Sequence, residues 1–122
     1  GISGISNDMR ILLERTEPEA QLAVTYFVYR AVKEIGALTA VLGGLDALVF
    51  TGGIGENSSN IRKRICKQLS WMGIELDEEL NILNDIRISN AQCKVSVWVI
   101  PTDEELMIAK HITSLIHLSK VS

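Results

Sequence analysis

The stretch from Asp46 to Ser58, DALVFTGGIGENS, constrains this chain more than any other. Ala47 to Phe50 is a short continuous apolar run without alternation, the pattern of a strand covered on both faces in an α/β sheet. Gly52, Gly53 and Gly55 interrupt it at once. Asn57, Ser58 and Ser59 then offer caps for a helix whose apolar residues Ile61, Ile65, Leu69 and Met72 fall on one stripe. The expected unit is strand, glycine turn, helix. Its turn lies at the carboxyl end of the strand, where open α/β sheets place their ligands, and glycines let backbone N–H groups approach a phosphate closely. A nucleotide is the first ligand class to consider.

The remaining elements read as packing around that unit. Gly1 to Asn7 is a small-residue loop, and Ser6 or Asn7 can cap a short helix that begins at Asp8 and carries Leu12 and Leu13 inward. Pro18 suits the first position of a long helix in which Val24, Phe27, Val28, Ala31, Val32, Ile35, Leu38 and Leu42 keep helical spacing up to Gly43-Gly44. Tyr26, Phe27 and Tyr29 do not all share one direction on it, which favours core and interface packing over a stacking patch for a base.

Past the central helix, Gly73 is a stop, Ile74 to Leu76 a candidate short strand, and Asp77 a cap for a helical turn with Leu80 and Leu83. Arg87 to Ser89 and Lys94 to Ile100 read as extended pieces around a polar turn at Asn90 to Gln92. Thr102 with Glu105 forms a capping box for a final helix carrying Leu106, Ile108, Ala109, Ile112, Leu115 and Ile116. Glu105 thus has a structural task. Glu104 does not, and a carboxylate there can either complement the helix dipole or face a ligand or a hydrated Mg²⁺.

A chain of 122 residues with 47% hydrophobic content is enough for one domain with one core. Twelve basic against fifteen acidic residues give a net charge of −3, with the signs interspersed, so neither nucleic acid nor an anionic membrane is an expected partner. The only basic cluster, Arg62, Lys63, Arg64 and Lys67, reads as the solvated face of the helix after the glycine turn. Cys66 and Cys93 have no metal-ligand spacing and read as packed thiols, so a reducing cytoplasm is the default. No apolar run is long enough to span a membrane. An opening Gly1-Ile2-Ser3-Gly4 without an initiator Met suggests a processed or excised piece.

Three readings of the glycine turn compete: a P-loop, a dinucleotide fingerprint and a turn that binds nothing. The P-loop pattern requires a lysine beside its last glycine, and none is present. The dinucleotide fingerprint is a near miss, since Gly53-x-Gly55-x-x leads to Ser58, with Glu75 or Asp77 near the position of the expected acid. His111 and His117 are six apart and do not stack as a metal pair, and no GxSxG elbow or Cys/His pair occurs. From the residues alone, this is a binding half without chemistry.

Four stretches in order resemble the acetate and propionate kinase family: GISGISNDMR at Gly1–Arg10, FVYRAVKEIGAL at Phe27–Leu38, GGLDALVFTGGIGENS at Gly43–Ser58 and WVIPTDEELMIAKH at Trp98–His111. The resemblance covers nearly the whole chain and implies its carboxyl-terminal part. It implies an α/β fold, part of the distal domain of the actin, Hsp70 and sugar-kinase-like fold with a ribonuclease-H-like layer of strands, and residues 1–122 as a single nucleotide-binding domain without the amino-terminal one. Residue by residue, NDMR implies Asp8, Met9 and Arg10 on the adenosine side of an ATP or ADP site. GGIGEN implies Gly53, Ile54, Gly55, Glu56 and Asn57 around adenine, ribose and phosphate. PTDEE implies Glu104 as the acid associated with Mg²⁺.

The family's catalytic arginines, histidine and aspartate have no counterpart in the chain, so no catalytic residue is expected here and the isolated chain is expected to be inactive. The complete enzyme of such a family phosphorylates acetate or propionate, with the missing amino-terminal part as the natural partner of this piece and a homodimer as the expected assembly. Two rivals remain at this point. One is a catalytically silent module that self-associates through the helix from Pro18 to Leu42, and the other is the dinucleotide-binding domain.

Overall fold

The computed structural model describes Ile11, residues 13–100 and the backbone of the strand Leu115–His117. Helix α1 spans Pro18–Leu42, with proline in its first turn where a missing N–H costs nothing. It ends at Gly43, whose φ of 79° is left-handed and lets the chain leave the helix. Ala20, Val24, Val28, Ala31 and Ile35 form its buried stripe. Leu38 and Leu42 are exposed, so the expected stripe gives out in the last two turns.

Strand β1, Ala47–Phe50, is the centre of a three-stranded parallel sheet in the order β2-β1-β3, where β2 is Ser96–Val99 and β3 is Leu115–His117. Val49 is in register with Trp98 on one side and His117 on the other. Leu48 and Phe50 belong to the main core with Val97 and Val99, while Ala47 and Val49 alternate to the opposite face and are equally buried. An apolar run without alternation is what burial on both faces demands.

After the glycine turn come α2, Gly53–Asn57, and α3, Ser59–Gln68. The turn itself is therefore helical, and Ser58 closes α2 while opening α3: its N–H donates to Ile54 O at 3.0 Å and its Oγ accepts from Ile61 N at 3.1 Å. α3 packs against α1 through Ile61 and Ile65. A 3₁₀ turn at Ser70–Met72 leads to Gly73, left-handed at φ 92°. Asp77 Oδ1 accepts from Leu80 N and caps α4, Glu78–Ile82, as its position predicts.

Two expectations are corrected. Ile74 to Leu76 is not a strand, because its only pairing among the described residues is an isolated antiparallel bridge from Leu76 to Ser89. Leu115 and Ile116 do not extend a helix; they pair in parallel with Ala47 and Leu48 in β3. Helical spacing is a local signal, and the open edge of a buried strand offers these residues backbone hydrogen bonds that the spacing cannot anticipate. The rest of the expected final helix, with Glu104 and the Thr102–Glu105 box, lies outside the described residues.

Candidate functional site

The site is built where β1 stops. Thr51 is fully buried, and its hydroxyl meets no hydrogen-bond partner among the described residues. Gly52 follows with φ 68° and ψ 155°, a conformation open essentially to glycine alone, and Gly53 has φ 42°. These two residues turn the chain from the sheet into α2. Ile54 and Gly55 are buried, Glu56 is half-buried and Asn57 is exposed. The side-chain amide of Asn57 donates back to Gly53 O at 2.9 Å, which closes the short helix on itself.

Gly55 differs from its neighbours in the turn. Its φ is not left-handed, and a Cβ built there would come no closer than 3.5 Å to Phe50, an ordinary contact. Among the described residues, neither the backbone conformation nor the packing requires glycine at this position.

What holds the far end of the turn is Arg62, which contradicts its reading as part of a solvated basic face. Its side chain is fully buried, whereas Lys63 and Lys67 are exposed. Nε donates to Asn81 Oδ1 at 2.8 Å, Nη1 to Gly55 O and Glu56 O at 3.0 Å each, and Nη2 to Asn81 O at 2.7 Å and to Asn84 Oδ1. All five guanidinium N–H donors are matched, and every acceptor is neutral. Burial lowers the guanidinium to about 10, with Cys66 opposing the shift, so Arg62 remains a cation at neutral pH. Asn81, itself buried, also donates through Nδ2 to Ser59 O at 3.0 Å. Arg62 shares the inward stripe of α3 with Cys66 one turn later, and that spacing was the one sequence signal of its burial.

A hollow of about 310 Å³ lies beside the turn, lined by Leu13, Glu14, Ile54, Asn57, Ser58, Ser59 and Asn60. It brings the segment just after Asp8, Met9 and Arg10 against the glycine turn, although those three residues lie outside the described ones. Of the nucleotide residues expected from sequence, Gly53, Ile54, Gly55, Glu56 and Asn57 are thus contiguous at the end of β1. Among the described residues no group of three acidic, histidine or cysteine side chains could hold a metal ion. The dinucleotide fingerprint loses its second half: no parallel strand follows α3 at Ile74–Leu76, and Asp77 is occupied as a helix cap. Cys66 is buried and Cys93 half-buried, both as free thiols, in keeping with the expectation of packed thiols.

A parallel sheet whose central, doubly covered strand runs into a glycine turn and a helix is the α/β arrangement of the actin, Hsp70 and sugar-kinase-like fold. The structure superposes on the crystal structure of acetate kinase from Entamoeba histolytica with a TM-score of 0.74 at 36% identity, covering 91% of this chain and 32% of that one. A propionate kinase from Francisella tularensis gives a TM-score of 0.71 at 36% identity, over 95% of this chain and 31% of that one. In sequence the chain is 56% identical over 117 residues to acetate kinase of Rhodopseudomonas palustris, and 55% identical over 116 residues to that of Rhizobium meliloti. With the acetokinase family model matching residues 1–110, the chain belongs to that family. It spans 29% of the length of the first of these relatives and 30% of the second.

Proposed function

We propose that residues 1–122 are a single domain, the carboxyl-terminal nucleotide-binding portion of an acetate kinase, with ATP or ADP held against Gly53, Ile54, Gly55, Glu56 and Asn57 on one side and Asp8, Met9 and Arg10 on the other. Glu104 is assigned to Mg²⁺ on the same grounds, by its match to the family's PTDEE motif. In the complete enzyme the γ-phosphorus of ATP forms a bond to a carboxylate oxygen of acetate or propionate while its bond to the β,γ-bridging oxygen breaks, releasing ADP and an acyl phosphate. Such transfer depends on positioned charges around the phosphoryl group. This piece supplies nucleotide contacts, and the reaction requires the remainder of the enzyme, so the chain alone is inactive. A cytoplasmic location accords with two free cysteines and with the absence, among the described residues, of a helix long and apolar enough to cross a membrane.

The observation that carries this reading is the turn at the end of β1, where Gly52 and Gly53 take left-handed φ values of 68° and 42° and Ile54 and Asn57 line the adjoining hollow together with Leu13. Glycines in such a turn let a ligand's phosphates approach the backbone. The test is calorimetric titration of the chain with MgADP, with NAD as control and Asn57→Ala as the variant. Asn57 is exposed, so Asn57→Ala should stay folded, and it should bind MgADP at least tenfold more weakly, with no heat from NAD. Equal binding by parent and variant, or a folded parent that binds no MgADP, would refute the reading.

A homodimer is the proposed assembly. Leu22, Tyr26 and Tyr29 are exposed along one face of α1 at the i, i+4, i+7 spacing of a helical interface. Sedimentation of the parent beside Leu22→Glu/Tyr29→Glu tests it: the parent should be dimeric and the double variant monomeric.

A further inference from the structure

We infer that Arg62 is a positioning residue for the nucleotide turn, holding α2 in its helical form from a point outside the ligand cleft; the assignment rests on the nucleotide reading of Gly53–Asn57. α2 has five residues, far too few to be helical by propensity. Its backbone groups nevertheless find partners one by one. Gly52 O accepts from Glu56 N, Gly53 O from the side chain of Asn57, and Ile54 O from Ser58 N. Of the carbonyls these contacts leave over, Gly55 O and Glu56 O both accept from Nη1 of Arg62. The guanidinium takes the place of the next helical turn, with the positive charge that the carboxyl end of a helix favours.

The fork is in turn fixed from the other side. Asn81 and Asn84, 19 and 22 residues further along, accept from Nε and Nη2. Asn84 adopts a left-handed φ of 53°, unusual outside glycine, while offering its side-chain oxygen. The end of α4 thus acts as an anchor, Arg62 as a brace and α2 as the braced part. A lysine keeps the charge, but its single nitrogen cannot reach acceptors on both sides as a planar fork does.

Hydrogen exchange resolved by segment, on the parent chain and on Arg62→Lys, Arg62→Met and Asn84→Gly, tests this directly, together with MgADP titration. Asn84→Gly removes one acceptor while allowing the backbone its left-handed φ, so it remains informative if Arg62→Met does not fold. The expected result is exchange at least tenfold faster across residues 53–58 in both Arg62 variants, a smaller increase in Asn84→Gly, and unchanged protection of Ala47–Phe50. MgADP affinity should fall in the same order. Unchanged exchange at 53–58, or a rise spread evenly over the whole chain, would overturn the assignment. If the folded parent binds no MgADP, the nucleotide reading fails and the exchange pattern still decides whether Arg62 braces the turn.

Discussion

Arg62 donates to Asn81 twice, through Nε to the side-chain oxygen at 2.8 Å and through Nη2 to the backbone oxygen at 2.7 Å, and so joins α3 to α4 where both residues are buried. Asn81→Leu removes the side-chain acceptor and leaves a desolvated cation short of a partner, while Ser59 O loses its donor. The expected cost is about 3 kcal/mol, read as a lower urea midpoint at unchanged slope. A change below about 1 kcal/mol would mean that water replaces the amide.

Two left-handed glycines separate conformational strain from steric conflict. At Gly43, φ is 79° and none of the described residues lies within 4 Å of the point an added methyl would occupy, so Gly43→Ala should cost about 1 kcal/mol from backbone strain alone. At Gly73, φ is 92° and the added Cβ would stand 2.7 Å from Lys94 Cβ. Gly73→Ala should therefore be clearly the more damaging, at about 2 kcal/mol or more. Thermal melts of the two variants side by side rank them.

Stability should fall as pH rises through the range between about 9 and 10. Burial pushes the Cys66 thiol well above its ordinary value of 9.0, with the Arg62 charge pulling it down and Cys93 pushing it up. The unfolded thiol then releases its proton near pH 9 while the folded one retains it, so the unfolded state gains. The loss by pH 10 is about 1 kcal/mol. Arg62 has the opposite sign, since its folded guanidinium releases first, and enters only near pH 10. Cys66→Ala should be less stable throughout but should lose this slope; an identical slope in both proteins would disprove the account. In the parent at pH 8, a thiol reagent should modify half-buried Cys93 quickly and Cys66 only on unfolding.

β3 pairs with Ala47–Val49 along one side of β1. A chain ending at Ser114 should expose that side of a fully buried apolar strand, lower the melting temperature and promote aggregation through the open edge. Light scattering during a thermal ramp checks this, and a truncated chain as stable and monomeric as the parent would show that the third strand is dispensable.

Much of the fold was legible because its signals are local. Pro18 and Gly43 bracket α1, Asp77 caps α4, Ser58 opens α3, and the unbroken run Ala47–Phe50 announces a strand covered on both faces. The glycine turn was legible too, since Gly52 and Gly53 adopt positive φ values that few other residues tolerate. Its helical form was not, because a five-residue segment that contains Gly53 and Gly55 and follows Gly52 has no helical propensity to read.

By itself, the sequence determined where the chain turns, which strand is central and which family its motifs resemble, all properties set within a few residues. Only the tertiary structure decided the role of Leu115–His117, which depends on a vacant edge of β1 more than sixty residues away in the chain. It also decided that Arg62 faces inward, because a buried cation is tolerable only where acceptors converge on it. Those acceptors come from Gly55 and Glu56 on one side and from Asn81 and Asn84 on the other, and folding alone brings them together.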